Sequence, residues 1–154
     1  MIDLNRKLLI EQIDKKMAKF SVLTESDLPP KGWIYSIRIA LNMSLAQLGK
    51  RLNKTAQSVK EIEEREQNKS LTLKRLIEVA ETLNLRFVYG FVPRDSSLEK
   101  MIENSALQVA RDIVMRTSHS MSLEDQQNRD ERLQKAIKDR AEKIKHEMPK
   151  FLWD

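Results

Sequence analysis

The sequence predicts a mainly α-helical protein, and its composition and apolar spacing support that class. Only three glycines and four prolines interrupt its 154 residues. Charged residues make up 33% of the chain, and they alternate with leucine and isoleucine at the three-to-four-residue spacing of amphipathic helices. Cysteine is absent, which excludes disulfides and thiolate metal ligands. We therefore expect packed helices to hold the chain together.

Residues 1–30 are expected to form an amphipathic helix followed by a linker. Apolar residues recur between Ile2 and Phe20 with charged residues between them, a pattern typical of a helix with one buried face. Pro29 and Pro30 cannot continue that helix. A domain boundary is therefore expected near residue 30.

Residues 31–85 are expected to form four short helices. The first of them, over residues 33–41, has apolar spacing that fits a strand as well as a helix. The segment that follows favours the helix, because it contains a capping box that opens another short helix. The residues expected to cap the later helices are Ser44 together with Gln47, then Thr55, then either Ser70 or Thr72.

Residues 86–93 are expected to form one β-strand, because the segment is rich in β-branched and aromatic residues. A single strand cannot satisfy its own backbone hydrogen bonds. We therefore expect it to pair with the same strand of a second copy across a two-fold axis. The side chains expected at this dimer contact are Phe87, Val88, Tyr89, Phe91 and Val92.

Residues 94–154 are expected to form two further helices. Ser96 and Glu99 have the spacing of a capping box at the start of the first. The second begins at about Leu123 and carries a narrow apolar seam between charged residues. Its apolar tail offers candidate contacts for a second protein at Phe151 and Trp153.

The excess positive charge lies in the middle of the chain. Basic and acidic residues balance at five each in residues 1–30 and at twelve each in residues 91–154. Residues 31–90 hold eleven basic residues against six acidic ones, which accounts for the whole net charge of +5. This segment is therefore where a polyanion such as DNA is expected to bind.

Residues 45–62 have the spacing of two helices that cross closely. Gly49 leaves room for the following helix at the crossing point, and Asn53 tolerates the left-handed backbone that the turn needs. The pattern resembles the helix-turn-helix of phage repressors and bacterial Xre-type regulators, and the resemblance continues to Leu85. The apolar residues expected to lock the two helices together are Leu48, Leu52, Val59 and Ile62.

The resemblance implies roles for individual residues on and around the helix that Thr55 caps. In that family this helix enters the major groove, while the preceding helix and the following loop contact phosphates. An acidic run at residues 63–66 is expected on the outer side of the helix, away from DNA. The implied base contacts are Ala56, Gln57, Ser58, Lys60 and Glu61, and the implied phosphate contacts are Ser44, Lys50, Arg51, Lys54, Thr55, Lys69 and Lys74.

The whole chain, including residues 118–126, resembles the bacterial family called mobile mystery protein A. Members of that family are similar to Xre-type regulators found beside a Fic-domain protein, which implies an antitoxin-like partnership. Ser120 and Glu124 have the spacing of the pattern found in Fic inhibitors, but Asp125 stands where that pattern has Gly or Asn. A helix cap at Ser122 is the alternative interpretation of the same segment.

The predicted fold is mainly α, with a lambda-repressor-like helix-turn-helix domain, one β-strand pairing across a dimer and additional terminal helices. No glycine-rich phosphate loop, nucleophile elbow or metal-ligand spacing is present. We therefore expect no catalytic site, no metal and no cofactor.

The predicted function is a DNA-binding transcriptional regulator, a homodimer that represses its own operon from an inverted-repeat operator in double-stranded DNA. The alternative is an antitoxin-like module whose terminal helices hold a toxin or a Fic-type protein. No membrane span or signal peptide is apparent in the sequence, so the cytoplasm is the expected compartment.

Overall fold

The computed structural model describes residues 4–118 and 126–154. In these residues the chain is α-helical, as predicted, with two short 3-10 helices at Ser21–Glu25 and Lys150–Trp153. No helix of the described residues is both long and apolar enough to cross a membrane. The α-helices are α1 (Leu4–Ala18), α2 (Trp33–Ala40), α3 (Leu45–Leu52), α4 (Ala56–Gln67), α5 (Leu73–Thr82), α6 (Leu98–Ser118) and α7 (Gln126–Glu147).

The chain divides into two compact units. The central unit is Thr24–Tyr89 and contains α2 to α5. The terminal unit consists of the described residues of Met1–Leu23 and Gly90–Asp154, and it contains α1, α6 and α7. Each unit has its own apolar cluster.

The core of the central unit is contributed by all four of its helices. The two helices that the sequence predicts to cross, α3 and α4, both supply fully buried side chains, as predicted, and α2 and α5 each add one. Burial of these side chains is the main force that holds such short helices in place, since isolated helices of this length are marginal in water. The buried residues are Ile34, Leu48, Leu52, Val59, Ile62 and Val79.

Side-chain caps fix where the helices of the central unit begin. Ser44 Oγ accepts from the Gln47 backbone N–H at 3.1 Å, and Gln47 Oε1 accepts from the Ser44 N–H at 2.8 Å. This capping box is the predicted one. Thr55 caps α4 as predicted, and Thr72 rather than Ser70 caps α5.

The turn between α3 and α4 has the predicted backbone conformation. Asn53 lies in the left-handed region with φ 56° and ψ 41°. A Cβ on Gly49 would lie 2.6 Å from the carbonyl oxygen of Lys54 and 3.2 Å from that of Thr55. Gly49 therefore lies against the backbone of the turn and of the residue that caps α4. The expected contact was with the helix itself, which begins one residue later.

The terminal unit is built on the packing of α6 against α7. The predicted seam of α7 is buried, with Ile137, Ala141 and Ile144 against small residues of α6 such as Ala106 and Ala110. Small side chains let two helix backbones approach closely, so α7 packs against α6 despite its high charge.

Helix α1 packs on α6 and supplies a cap to it. The carboxylate of Asp14 accepts from the backbone N–H groups of Leu98 at 2.7 Å and of Glu99 at 3.3 Å. Ser97 Oγ accepts from the Lys100 N–H at 3.0 Å. The cap predicted at Ser96 is therefore one residue too early.

The predicted β-strand at residues 86–93, paired across a dimer, is not supported by the structure. This segment has no regular secondary structure, and the described residues contain no other strand that could supply ladder hydrogen bonds. The β-propensity of its aromatic and β-branched residues takes effect only beside a neighbouring strand. The rings of Phe87 and Tyr89 stack on each other at 5.9 Å between centroids, and Phe91 is 81% exposed.

Candidate nucleic-acid interface

Helix α4 has one buried face and one exposed face. Val59 and Ile62 point into the core, so residues a half-turn away from them face solvent. Among the five predicted base contacts, Gln57, Lys60 and Glu61 are exposed, whereas Ala56 and Ser58 are half-buried. The exposed face of α4 therefore carries side chains of mixed polar chemistry between Gln57 and Glu61.

Glu63 of the acidic run is buried against α2, not on the outer side as expected. Its Oε2 accepts from Nη2 of Arg38 at 3.2 Å, and its Oε1 accepts from Nε of the same guanidinium. Both side chains are only 8% exposed. Arg38 also donates from Nη1 to the Met43 carbonyl oxygen at 2.9 Å. The hydrogen bond to Glu63 raises the pKa of Arg38 above its ordinary value.

Glu66, one turn later, also points toward α2. Its two carboxylate oxygens accept from the backbone N–H groups of Trp33 at 2.7 Å and Ile34 at 2.9 Å, so it caps the N-terminus of α2. Gly32 immediately precedes α2 and has a φ of +85°. A Cβ on Gly32 would lie 2.9 Å from the Glu66 carboxylate.

The inward position of Glu63 and Glu66 has a simple cause. Both residues follow Val59 and Ile62 at helical spacing, so they share the buried face of α4. Each carboxylate there is satisfied, by a guanidinium in one case and by a helix N-terminus in the other. Only Glu61 and Glu64 of the α4 carboxylates are exposed, so the run repels phosphate less than its sequence suggests.

The seven predicted phosphate contacts all lie in the central unit. Six of them are exposed and Lys54 is half-buried. The hydroxyls of Ser44 and Thr55 already serve as helix caps. The exposed six are Ser44, Lys50, Arg51, Thr55, Lys69 and Lys74.

A cleft between α4 and α5 brings three of the predicted residues together. Lys54, Ser58 and Glu61 line it with Arg65 and Arg75, two residues that the sequence analysis did not assign to the site. The spacing of Ser58, Glu61 and Arg65 along one stripe of α4 could have identified Arg65. Arg75 comes from another helix, so only the tertiary fold reveals it.

The remaining predicted contacts lie elsewhere on the chain. Among the predicted dimer contacts, Val88, Tyr89 and Phe91 are exposed, and Phe87 and Val92 are half-buried. Ser120 and Glu124 lie outside the described residues. No group of three or more His, Asp or Glu side chains in the described ranges could hold a metal ion.

Two aromatic residues of the C-terminal 3-10 helix are exposed. Phe151 and Trp153 both face solvent, while Leu152 between them is 3% exposed and belongs to the core of the terminal unit. The buried leucine therefore anchors a short helix that presents two aromatic rings.

The family comparison agrees with the geometry of the central unit. A family model described as helix-turn-helix, of the Xre and lambda-repressor-like kind, matches residues 34–89. No curated protein and no solved structure gives a significant match to the chain. This family is a DNA-binding regulatory domain and not an enzyme family. Residues 34–89 are thus similar to the helix-turn-helix domains of DNA-binding regulators.

Proposed function

We propose that this protein is a sequence-specific DNA-binding transcriptional regulator that represses its own operon. One observation carries the proposal: α4 exposes Gln57, Lys60 and Glu61 while its Glu63 and Glu66 carboxylates are paired internally with α2. An exposed helix with polar side chains and flanking cations suits the major groove, where base edges carry the sequence information.

The exposed side chains of α4 have chemistry that matches particular base edges. The Gln57 amide can donate to and accept from adenine N7 and N6 as a bidentate pair. Lys60 can donate to guanine O6 or N7, and Glu61 can accept from cytosine N4. Three such contacts define a short half-site.

Two copies are proposed to bind an inverted repeat. One helix reads only a few base pairs, which gives too little discrimination against a genome of competing sites. Two α4 helices about 34 Å apart would read two half-sites in successive major grooves. The exposed Val88, Tyr89 and Phe91 are the proposed contacts between copies, without a β-ladder.

Repression follows from occupancy alone. A dimer bound over a promoter excludes RNA polymerase and needs no catalysis. Selection of binding sites from a randomised duplex library tests the function. The expected result is enrichment of an inverted repeat that also occurs upstream of the protein's own gene. Recovery of unenriched sequence after repeated rounds would contradict sequence-specific binding.

A second candidate function is favoured by the exposed Phe151 and Trp153 beside the anchored Leu152. Exposed aromatic residues are strong anchors in protein interfaces. The resemblance to the mobile mystery protein A family suggests a Fic-domain protein as the partner, with Ser120 and Glu124 as further contacts. Co-purification with a Fic-domain protein encoded beside it, and loss of that complex on Trp153→Ala, would support this function. Unchanged elution of both proteins on mixing would contradict it.

A further inference from the structure

The cleft between α4 and α5 has the composition of an anion site. Lys54 from the turn, Ser58 and Arg65 from α4, and Arg75 from α5 line it. Three cationic side chains from three separate parts of the chain thus converge on one concavity. Concave cationic surfaces concentrate an electrostatic potential that attracts anions.

Most of the positive charge of this cleft is unpaired. Among the residues that the structure describes, the side chains of Lys54 and Arg65 form no hydrogen bond or ion pair. Arg75 uses one donor, Nη1, which lies 2.6 Å from Glu78 Oε2. Glu61 also lines the cleft but forms no ion pair with these cations. The cleft therefore retains donors for an external anion.

The hydroxyl of Ser58 is positioned to add a further donor. Thr55 Oγ1 donates to Ser58 Oγ at 3.1 Å, and the Ser58 backbone N–H donates to Thr55 Oγ1 at 3.1 Å. Within the described residues Ser58 Oγ accepts this hydrogen bond and donates none, so its own proton is available to donate. Two guanidinium groups, an ammonium and a hydroxyl together match the oxygens of a phosphate group.

We propose that this cleft binds a backbone phosphate of DNA, with Arg65 and Arg75 as the two principal contacts. The inference rests on the proposed function, because it assigns a phosphate to the flank of the helix that would read bases. Glu61 is shared by the cleft and by the exposed face of α4. A strand whose bases contact that face therefore carries its phosphates past the cleft.

A DNA phosphodiester suits this cleft better than a free phosphate does. The Glu61 carboxylate at the cleft would repel a fully charged phosphate dianion more strongly than a singly charged phosphodiester. Arg65 is also exposed, as expected for a contact with an extended polymer. Glu61→Gln should accordingly tighten binding to a scrambled duplex, where Glu61 reads no base.

The test is the salt dependence of DNA binding by Arg65→Gln, Arg75→Gln and the double variant, measured by fluorescence anisotropy. Loss of one phosphate contact should reduce the slope of log affinity against log salt by about 0.9. Affinity should fall on the order of tenfold, and equally on the selected operator and on a scrambled duplex, because phosphates carry no sequence information. Arg75→Gln also breaks the ion pair with Glu78 and could unfold the domain. In that case Arg65→Gln alone still tests the proposal.

Two controls separate this inference from the proposed function. Arg111→Gln removes an exposed arginine from α6 and should leave the slope unchanged. Gln57→Ala should weaken operator binding but not binding to scrambled DNA. If Gln57→Ala behaves so and the double variant keeps the wild-type slope, the cleft proposal is wrong and the proposed function stands. If wild type binds no DNA, both fail.

Inorganic phosphate distinguishes the two sources of the anion. Thermal unfolding with millimolar phosphate, against matched chloride, should raise the unfolding temperature of wild type and the double variant equally. A different result would overturn the DNA assignment: phosphate raises the unfolding temperature of wild type alone, and the two substitutions leave DNA affinity unchanged. The cleft would then be a site for free phosphate.

Discussion

Glu63 on α4 and Arg38 on α2 form a buried ion pair across the helix-turn-helix domain, and each side chain is only 8% exposed. The pair is completed by the Arg38 hydrogen bond to the Met43 carbonyl oxygen. Because α4 carries the proposed base contacts, this pair ties the orientation of the proposed reading helix to the first helix of the domain.

Removing one member of this pair should destabilise the protein strongly. Glu63→Ala leaves the Arg38 guanidinium buried without its counter-charge, which costs about 3–5 kcal/mol. The double variant Arg38→Met with Glu63→Leu should recover most of that loss, because it removes both charges and keeps apolar volume. Urea unfolding followed by circular dichroism measures both. A Glu63→Ala protein within about 1 kcal/mol of wild type would show that the pair is not what holds α4 to α2.

Gly49→Ala should destabilise the protein even though alanine is the better helix former. The added Cβ would lie 2.6 Å from the Lys54 carbonyl oxygen, and backbone atoms of a tight turn cannot move aside cheaply. We expect a net loss of about 1–3 kcal/mol by overpacking. Ala46→Gly at an exposed position of α3 is the matched control, with a loss of about 1 kcal/mol from helix propensity alone. Stabilisation of Gly49→Ala in thermal unfolding would refute the close approach.

Asp14→Ala should weaken the start of α6 within the terminal unit. The carboxylate accepts from the Leu98 and Glu99 N–H groups, and loss of a helix cap of this kind costs about 1 kcal/mol. Hydrogen exchange at residues 98–101 should become faster in Asp14→Ala, while exchange in the centre of α6 changes little. Asp14→Asn keeps one acceptor oxygen and should lie between the two proteins. Equal exchange rates in wild type, Asp14→Ala and Asp14→Asn would show that Asp14 does not cap α6.

Phe91→Glu should convert a dimer into monomers without loss of folding. Phe91 is 81% exposed, so a glutamate there removes few contacts within one chain but places two charges in the proposed contact between copies. Phe151→Glu is the control, since Phe151 is also an exposed aromatic but is assigned to a different partner. Sedimentation equilibrium at several concentrations measures the mass. A dimer that persists in Phe91→Glu would require another contact between copies.

The local features of the fold could be predicted from the sequence because they depend on neighbouring residues. The Ser44 and Thr55 caps, the left-handed Asn53 and the buried seam of α7 each follow from residue types a few positions apart. The cap of α6 is Ser97, one residue after the predicted Ser96, because two adjacent serines are equally good caps by type.

The features that were predicted wrongly, or not predicted, depend on residues far apart in sequence. Glu63 and Glu66 were expected on the outside because their partners, Arg38 and the α2 N-terminus, lie 25 and more residues earlier. The Asp14 cap joins residues 84 positions apart. The strand at residues 86–93 was predicted from side chains alone, although a strand exists only with a partner.

The central claim is that α4 reads DNA sequence, and anisotropy of wild type and Gln57→Ala on labelled duplexes tests it most directly. The account predicts that wild type binds the selected inverted repeat at least about 1,000-fold more tightly than a scrambled duplex. Gln57→Ala should lose about 1–3 kcal/mol on the repeat and nothing on the scrambled DNA. Equal wild-type affinity for both duplexes, or an equal loss on both in the variant, would contradict the claim.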